Sequence, residues 1–123
     1  MIYGGTKYNV QLGKVRREIL GLVKELSKAR KTVVMPAKRV DQIAAELKIR
    51  FPEQEFDDEH IVAIVIASKC RVVCTYDKGA MKYLRDPDVF RPYAGVKRPS
   101  IYSGAKSHSK LCCDKHVVDV CRA

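Results

Sequence analysis

The chain has 123 residues, 46% of them hydrophobic and 31% charged, a composition that excludes a disordered tail and suits one small folded domain. At this length about two-thirds of the unfolded chain's surface is hidden on folding, so neither disulfides nor a structural metal are needed to hold it together. The net charge is +10, with 12 basic and 4 acidic side chains in residues 1–51 and 12 and 10 in residues 52–123, a balance that favours polyanionic partners such as nucleic acid or an anionic membrane surface. The odd count of 5 cysteines and the lack of an apolar leader core after Met1 point to a reducing cytoplasm. The longest apolar run, Ile61 to Ala67, is far short of the ~20 residues of a membrane-spanning helix.

Apolar residues at Leu12, Val15, Ile19, Leu22, Val23 and Leu26 recur at spacings of three and four, which predicts one amphipathic helix. Its other face is basic through Lys14, Arg16, Arg17, Lys24, Lys28, Arg30 and Lys31. Lys31 to Met35 reads as a short buried strand stopped by Pro36. A second helical stripe runs through Val40, Ile43, Ala44 and Leu47 and ends near Phe51-Pro52, because proline disfavours helix in the residue before it. An acidic loop, Glu53 to Glu59, leads into the apolar run from Ile61. Periodicity cannot assign a run apolar on every side, but Asp57 or Asp58 as N-cap, acid in the first turn, and Ala63 and Ala67 favour helix. Arg71 to Thr75 is then a strand, Asp77-Lys78-Gly79 a turn, and Ala80 to Leu84 a short helix. Beyond Phe90 the chain is rich in proline, glycine and polar residues and reads as an irregular surface tail. Helices alternating with strands predict an α/β domain with a mainly parallel sheet, whose sites gather outside the carboxyl ends of the strands.

Asp58 and Asp77 stand 19 residues apart, about the length of a helix, a tight turn and a returning strand, so the fold can bring their carboxylates together. Two converging carboxylates in a basic setting suit Mg²⁺ or Mn²⁺, hard cations that take oxygen ligands and leave positions for water and a substrate phosphate. A helix N-cap and a turn aspartate with no metal are the plainer alternative.

The stretch Asp57-Asp58-Glu59-His60-Ile61-Val62-Ala63-Ile64-Val65-Ile66-Ala67, followed by Cys70-Arg71-Val72-Val73-Cys74-Thr75-Tyr76-Asp77-Lys78-Gly79, closely resembles the second half of a PIN domain. Ile2-Tyr3-Gly4-Gly5-Thr6-Lys7-Tyr8 is similar to a segment that some prokaryotic PIN-like proteins carry after their first strand and helices. The resemblance implies a PIN-like domain over residues 1–91, with a central parallel sheet flanked by helices, and an irregular basic tail with cysteines and histidines over 92–123. It implies a metal-dependent ribonuclease, many such proteins being toxins of toxin–antitoxin pairs, with RNA as substrate and an antitoxin-like protein as a further partner. Asp58 matches the family's acid at the start of this helix, Asp77 the acid of its Thr-x-Asp motif and Thr75 the hydroxyl of that motif. Asp57 replaces Asp58 if the register slips by one.

The chain also departs from the family. The PIN fold opens with an apolar strand ending in an aspartate, whereas this chain has no aspartate before Asp41 and begins where that strand would already have finished. It therefore reads as lacking the first strand, whether as a fragment, a mis-started reading frame or a degraded copy. The next expected acid falls where Asn9, Val10 and Gln11 stand, with Glu18 as a substitute. Without a central strand the neighbouring strands expose unpaired edges, which predicts a homodimer formed by strand addition.

Weaker candidates remain. His60, one turn into the apolar helix, is expected to pack or cap, and Cys70 and Cys74 to pack in the strand. His108, Cys112, Cys113, His116 and Cys121 are soft ligands, but their spacing matches no paired zinc knuckle, so zinc in the tail is not expected. Tyr93 and Tyr102, with Lys97, Arg98, Lys106 and Lys110, offer a stacking and pairing set for single-stranded RNA, but a floppy basic tail is the expected description.

Overall fold

The apolar run after the acidic loop organises the molecule. In the computed structural model, which describes residues 1–53, 56–102, 104 and 108–122, it forms a helix apolar on nearly every side and buried on nearly every side. The elements in chain order are β1 (Ile2–Gly4), α1 (Thr6–Leu12), α2 (Arg17–Lys28), β2 (Val33–Met35), α3 (Ala37–Arg50) and this central helix, α4 (Glu59–Ser68). They are followed by β3 (Val72–Cys74), α5 (Lys78–Arg85), α6 (Pro87–Phe90), β4 (Ser100–Tyr102) and α7 (His108–Leu111), with 3-10 turns at Asp114–His116 and Asp119–Cys121. No helix among the described residues is long and apolar enough to cross a membrane.

Helix α3 lays Val40, Ile43 and Leu47, all on one face, against α4. Beyond α3 the core is aromatic: the Phe56 and Tyr83 ring centroids are 3.9 Å apart, and Phe51 meets both edge-on. α4 ends at Lys69, which takes the left-handed conformation (φ 57°) and lets the Cys70 N–H reach back to the Val65 carbonyl. At the other margin the chain turns from β1 into α1 at Gly5 (φ 87°), where a Cβ would stand 2.6 Å from Val40 Cγ1.

The fold is mixed α/β, but a single central parallel sheet is not formed among the described residues. β1 pairs in parallel with β2 (Ile2 opposite Val33), β3 pairs in parallel with β4 (Val72 opposite Ser100), and the two sheets remain separate. Their inner strands stand on opposite sides of a cavity of about 640 Å³, floored by Ile61, Ile64 and Val65 of α4, so no ladder crosses between them. The sheet expected to be continuous is thus interrupted between β1 and β3. The opening segment Ile2–Gly4 is itself a strand, holding β2 on one side.

Two other expectations change. The stripe from Leu12 to Leu26 is not one helix: α1 closes at Gly13, whose N–H reaches the Asn9 carbonyl, and α2 starts afresh at Arg17. On α2 only Val23 is buried, whereas Ile19 and Leu22 are 48% and 60% exposed, so half of the apolar stripe faces outward. In the stretch read as an irregular tail, residues 100–102 supply β4 to the second sheet and Leu111 of α7 is buried.

Candidate acidic site

Each acid of the predicted pair is delivered by a different element. β3 runs out at Cys74, and the Thr75 hydroxyl then accepts the Asp77 N–H at 3.1 Å, tightening the turn. Asp77 caps α5, its Oδ1 accepting from Gly79 N–H at 2.7 Å and Ala80 N–H at 3.2 Å. Asp58 occupies the N-cap position of α4, yet its side chain accepts no capping bond there. It turns toward Asp77 instead. Burial raises the Asp58 carboxyl above its ordinary range, and the Asp77 charge and a hydrogen bond shared with Asp77 raise it further; Asp57 adds to this and Lys7 opposes it. The structure therefore brings Asp58 and Asp77 together, with Thr75 supporting the second.

Asp57 is not part of that pair. Its side chain is 82% exposed and bonds to Lys7 Nζ at 2.9 Å. The same ammonium donates to the Asp57 carbonyl at 2.6 Å and to Glu59 Oε1 at 3.0 Å. Its hydrogen bond and charge hold the Asp57 carboxyl below its ordinary range. Burial alone would lower Lys7, but the bonds and charges of Asp57 and Glu59 outweigh it, and its pKa is raised. Glu59 is mostly buried, and its Oε2 has no hydrogen-bond partner among the described residues. Sequence reasoning missed Lys7 and Glu59 as site residues. Glu59 lies beside the quoted acids and was open to detection, whereas the Lys7 contact spans 50 residues and leaves no local signal.

The other candidates are dispersed. His60 is 2% exposed, packs near Tyr8 and meets the Gln11 amide oxygen through Nε2 at 2.8 Å, while burial followed by the Lys7 charge lowers its pKa. Gln11, at the place searched for a further acid, thus contributes a neutral amide to a histidine. Glu18 lies exposed in the first turn of α2, with no bond to the acid pair among the described residues. Tyr93 is half-buried with its hydroxyl on Glu46 at 2.8 Å, so it is not free to stack on a base, and Arg98 is tied to the Arg85 carbonyl. Lys106 lies outside the described residues.

Cys70 is half-buried and donates to the Val72 carbonyl at 3.0 Å, whereas Cys74, expected to pack, is exposed. In the tail, His108 meets the Tyr102 hydroxyl and His116 meets the Cys113 thiol, each at 3.3 Å. Among the described residues no three His, Cys, Asp or Glu side chains come together in a group that could hold a metal.

The centre is thus a two-carboxylate pair with a lysine-bound acidic pair beside it. The donor set is all oxygen, with Asp58 half-buried and Asp77 exposed, and its mutual repulsion is relieved by a shared proton or by a hard cation, so it fits Mg²⁺ or Mn²⁺ in chemistry with only two protein ligands. No family model, no curated protein and no solved structure matches this chain.

Proposed function

We propose that the chain is a PIN-like, divalent-metal-dependent ribonuclease centred on Asp58 and Asp77. The observation that carries this reading is the convergence of two carboxylates from separate elements, one raised in pKa by burial and by the other. Asp58 and Asp77 would hold Mg²⁺ or Mn²⁺, which when bound makes water a better nucleophile and offsets charge on a phosphodiester. Around that centre Thr75 fixes the Asp77 loop, and the exposed basic residues of α2 and its flanks meet the RNA backbone as a salt-sensitive surface.

A second reading, a non-catalytic module that binds RNA or a protein, is favoured by the pairing of Asp57 and Glu59 with Lys7, which leaves only two carboxylates for an ion. Calorimetric titration of Mn²⁺ into the chain and into the Asp58→Asn/Asp77→Asn variant, followed by incubation with an RNA oligonucleotide, separates the two. Mn²⁺ binding and ion-dependent cleavage, both lost in the variant, are expected. RNA binding that weakens with salt and ignores Mn²⁺ would replace the ribonuclease with the binding module.

A further inference from the structure

The turn that delivers Asp77 also carries an aromatic ring that rests on nothing. Of the 6 tyrosines, the other five are engaged. Tyr3 packs on Tyr8 and Tyr8 on His60, Tyr83 stacks on Phe56, and the hydroxyls of Tyr93 and Tyr102 meet Glu46 and His108. Tyr76 is 77% exposed, with neither a ring contact nor a hydrogen bond among the described residues. Its backbone is nevertheless held on both sides. The Thr75 hydroxyl accepts the Asp77 N–H, and the Asp77 carboxylate accepts from Gly79 and Ala80, so the turn presents the ring before any ligand arrives.

Single exposed apolar side chains are common on protein surfaces, and it is position that distinguishes this one. Tyr76 is the chain neighbour of Asp77, about 3.8 Å away between Cα atoms, and so stands beside the Asp58–Asp77 pair. From Asp77 onward, α5 buries Ala80, Tyr83 and Leu84 and turns Lys78, Lys82 and Arg85 to solvent. Spaced at i, i+4 and i+7, these three cations form one row with axial steps of about 6 and 4.5 Å. No acid lies in α5, and none of the three is in an ion pair among the described residues.

We propose that Tyr76 stacks on a base of the RNA at the Asp58–Asp77 centre, while Lys78, Lys82 and Arg85 hold the phosphates that follow. This rests on the reading that RNA is the ligand of that centre, and it assigns the residues that grip the nucleotide beside it. A nucleobase is flat, offers a π-face and is tied to an anion, which a free ring followed by a row of cations answers group for group. A protein partner would instead seat an aromatic anchor among apolar neighbours that shut out water. The neighbours of this ring, Thr75, Asp77, Lys78 and Gly79, are polar or bare. In a duplex the bases are stacked on one another and closed to the ring, so the contact takes an unpaired nucleotide.

The test measures binding of fluorescein-labelled oligoadenylate to the full chain by anisotropy in EDTA, where metal-dependent cleavage is silent. Tyr76→Ala is expected to bind at least about tenfold more weakly, and Tyr76→Phe as tightly as the parent. An RNA duplex should bind the parent and both variants equally. Since the ring touches nothing in the fold, Tyr76→Ala should melt with the parent. The Lys78→Gln/Lys82→Gln/Arg85→Gln variant should lower the slope of log affinity against log salt by about 2. Oligoadenylate affinity unchanged in Tyr76→Ala overturns the proposal and leaves the ring to a protein partner. Equal weakening toward the duplex, or no oligoadenylate binding by the parent, also overturns it, and an unchanged salt slope overturns the phosphate row. Failure of the ribonuclease reading shows separately, as RNA left whole by the parent in Mn²⁺, whereas failure of the stacking alone leaves Mn²⁺-dependent cleavage by Tyr76→Ala at the parent's rate.

Discussion

Replacing Asp58 with Asn should stabilise the metal-free chain at neutral pH, although it removes a charged residue from a helix start. Asp58 titrates above its ordinary range when folded and within it when unfolded. Between those values the folded state binds more protons, so this group's contribution to stability falls as pH rises and is most unfavourable at pH 7. Two carboxylates about 4 Å apart repel by ~4 kcal/mol at an effective dielectric constant of 20. The pair is partly exposed, and screening reduces that to about 1 kcal/mol. Losing a negative charge at the start of α4 returns roughly 0.3 kcal/mol of this, and no capping bond is lost because Asp58 makes none. The variant should therefore melt about 3 °C higher at pH 7 in EDTA, followed by circular dichroism, and the gain should vanish near pH 3, where the Asp58 carboxyl is protonated in the parent as well. Mn²⁺ at a hundred times its dissociation constant should stabilise the parent by ~2.7 kcal/mol and leave the variant unmoved. A variant that melts lower at pH 7, or a gain that persists at pH 3, would refute the convergence of the two acids.

Asp77→Asn keeps a good N-cap, so chemical denaturation should place it within about 0.5 kcal/mol of the parent, while the Asp58 titration followed by NMR moves down toward its ordinary range. Gly5→Ala should lose about 2 kcal/mol in the same denaturation assay, since its φ is 87° and the new Cβ lies 2.6 Å from Val40 Cγ1; a neutral result would mean that α3 moves freely there. His60 titrates below its ordinary value when folded, so its stabilising contribution is complete above ~6.5 and declines as pH falls from there through the folded value. His60→Gln should flatten the melting-temperature profile between pH 7 and 5. Lys7→Met should return the Asp57 titration upward to the ordinary carboxylate range, read by NMR.

The parts of this fold legible in the sequence are those whose cause is local. The α4 run announces a buried helix because nothing polar interrupts it, and Asp77 announces a turn and cap because an aspartate two residues before a glycine can bond the backbone ahead of it. Asp58 and Asp77 were legible as a pair because helix, turn and strand have fixed lengths. What was not legible depended on distant partners. The split of the sheet is decided by what lies between β1 and β3, and no residue in either strand encodes it. β4 is three residues long and set among Pro99, Gly95 and Gly104, so its identity comes from the edge of β3 and not from its own pattern. The Leu12–Leu26 stripe has helical spacing throughout, and only the turn at Gly13 divides it.

The acidic end of α4 has an internal logic that the charge count alone conceals. A helix apolar on every side must be buried, so its first turn opens where the strands finish, and the acids Asp57, Asp58 and Glu59 arrive there together with Asp77. Carboxylates gathered at one helix end repel one another unless cations lie near. Lys7 answers two of them, taking Asp57 and Glu59 within 3.0 Å. The hydrogen bonds of its ammonium are then committed, and it reaches Asp58 only as a more distant charge. Asp77 is steadied by two backbone N–H groups, which are dipoles rather than charges. Asp58 is left with burial and a like charge as its neighbours, and it holds a proton more tightly for that reason. A group that binds a proton because no cation is at hand gives that proton up when a divalent ion arrives, so Mn²⁺ binding at pH 5 should release more protons than at pH 8, measurable as a buffer-dependent heat. A heat independent of buffer at pH 5 would mean that the ion, if bound, sits away from Asp58.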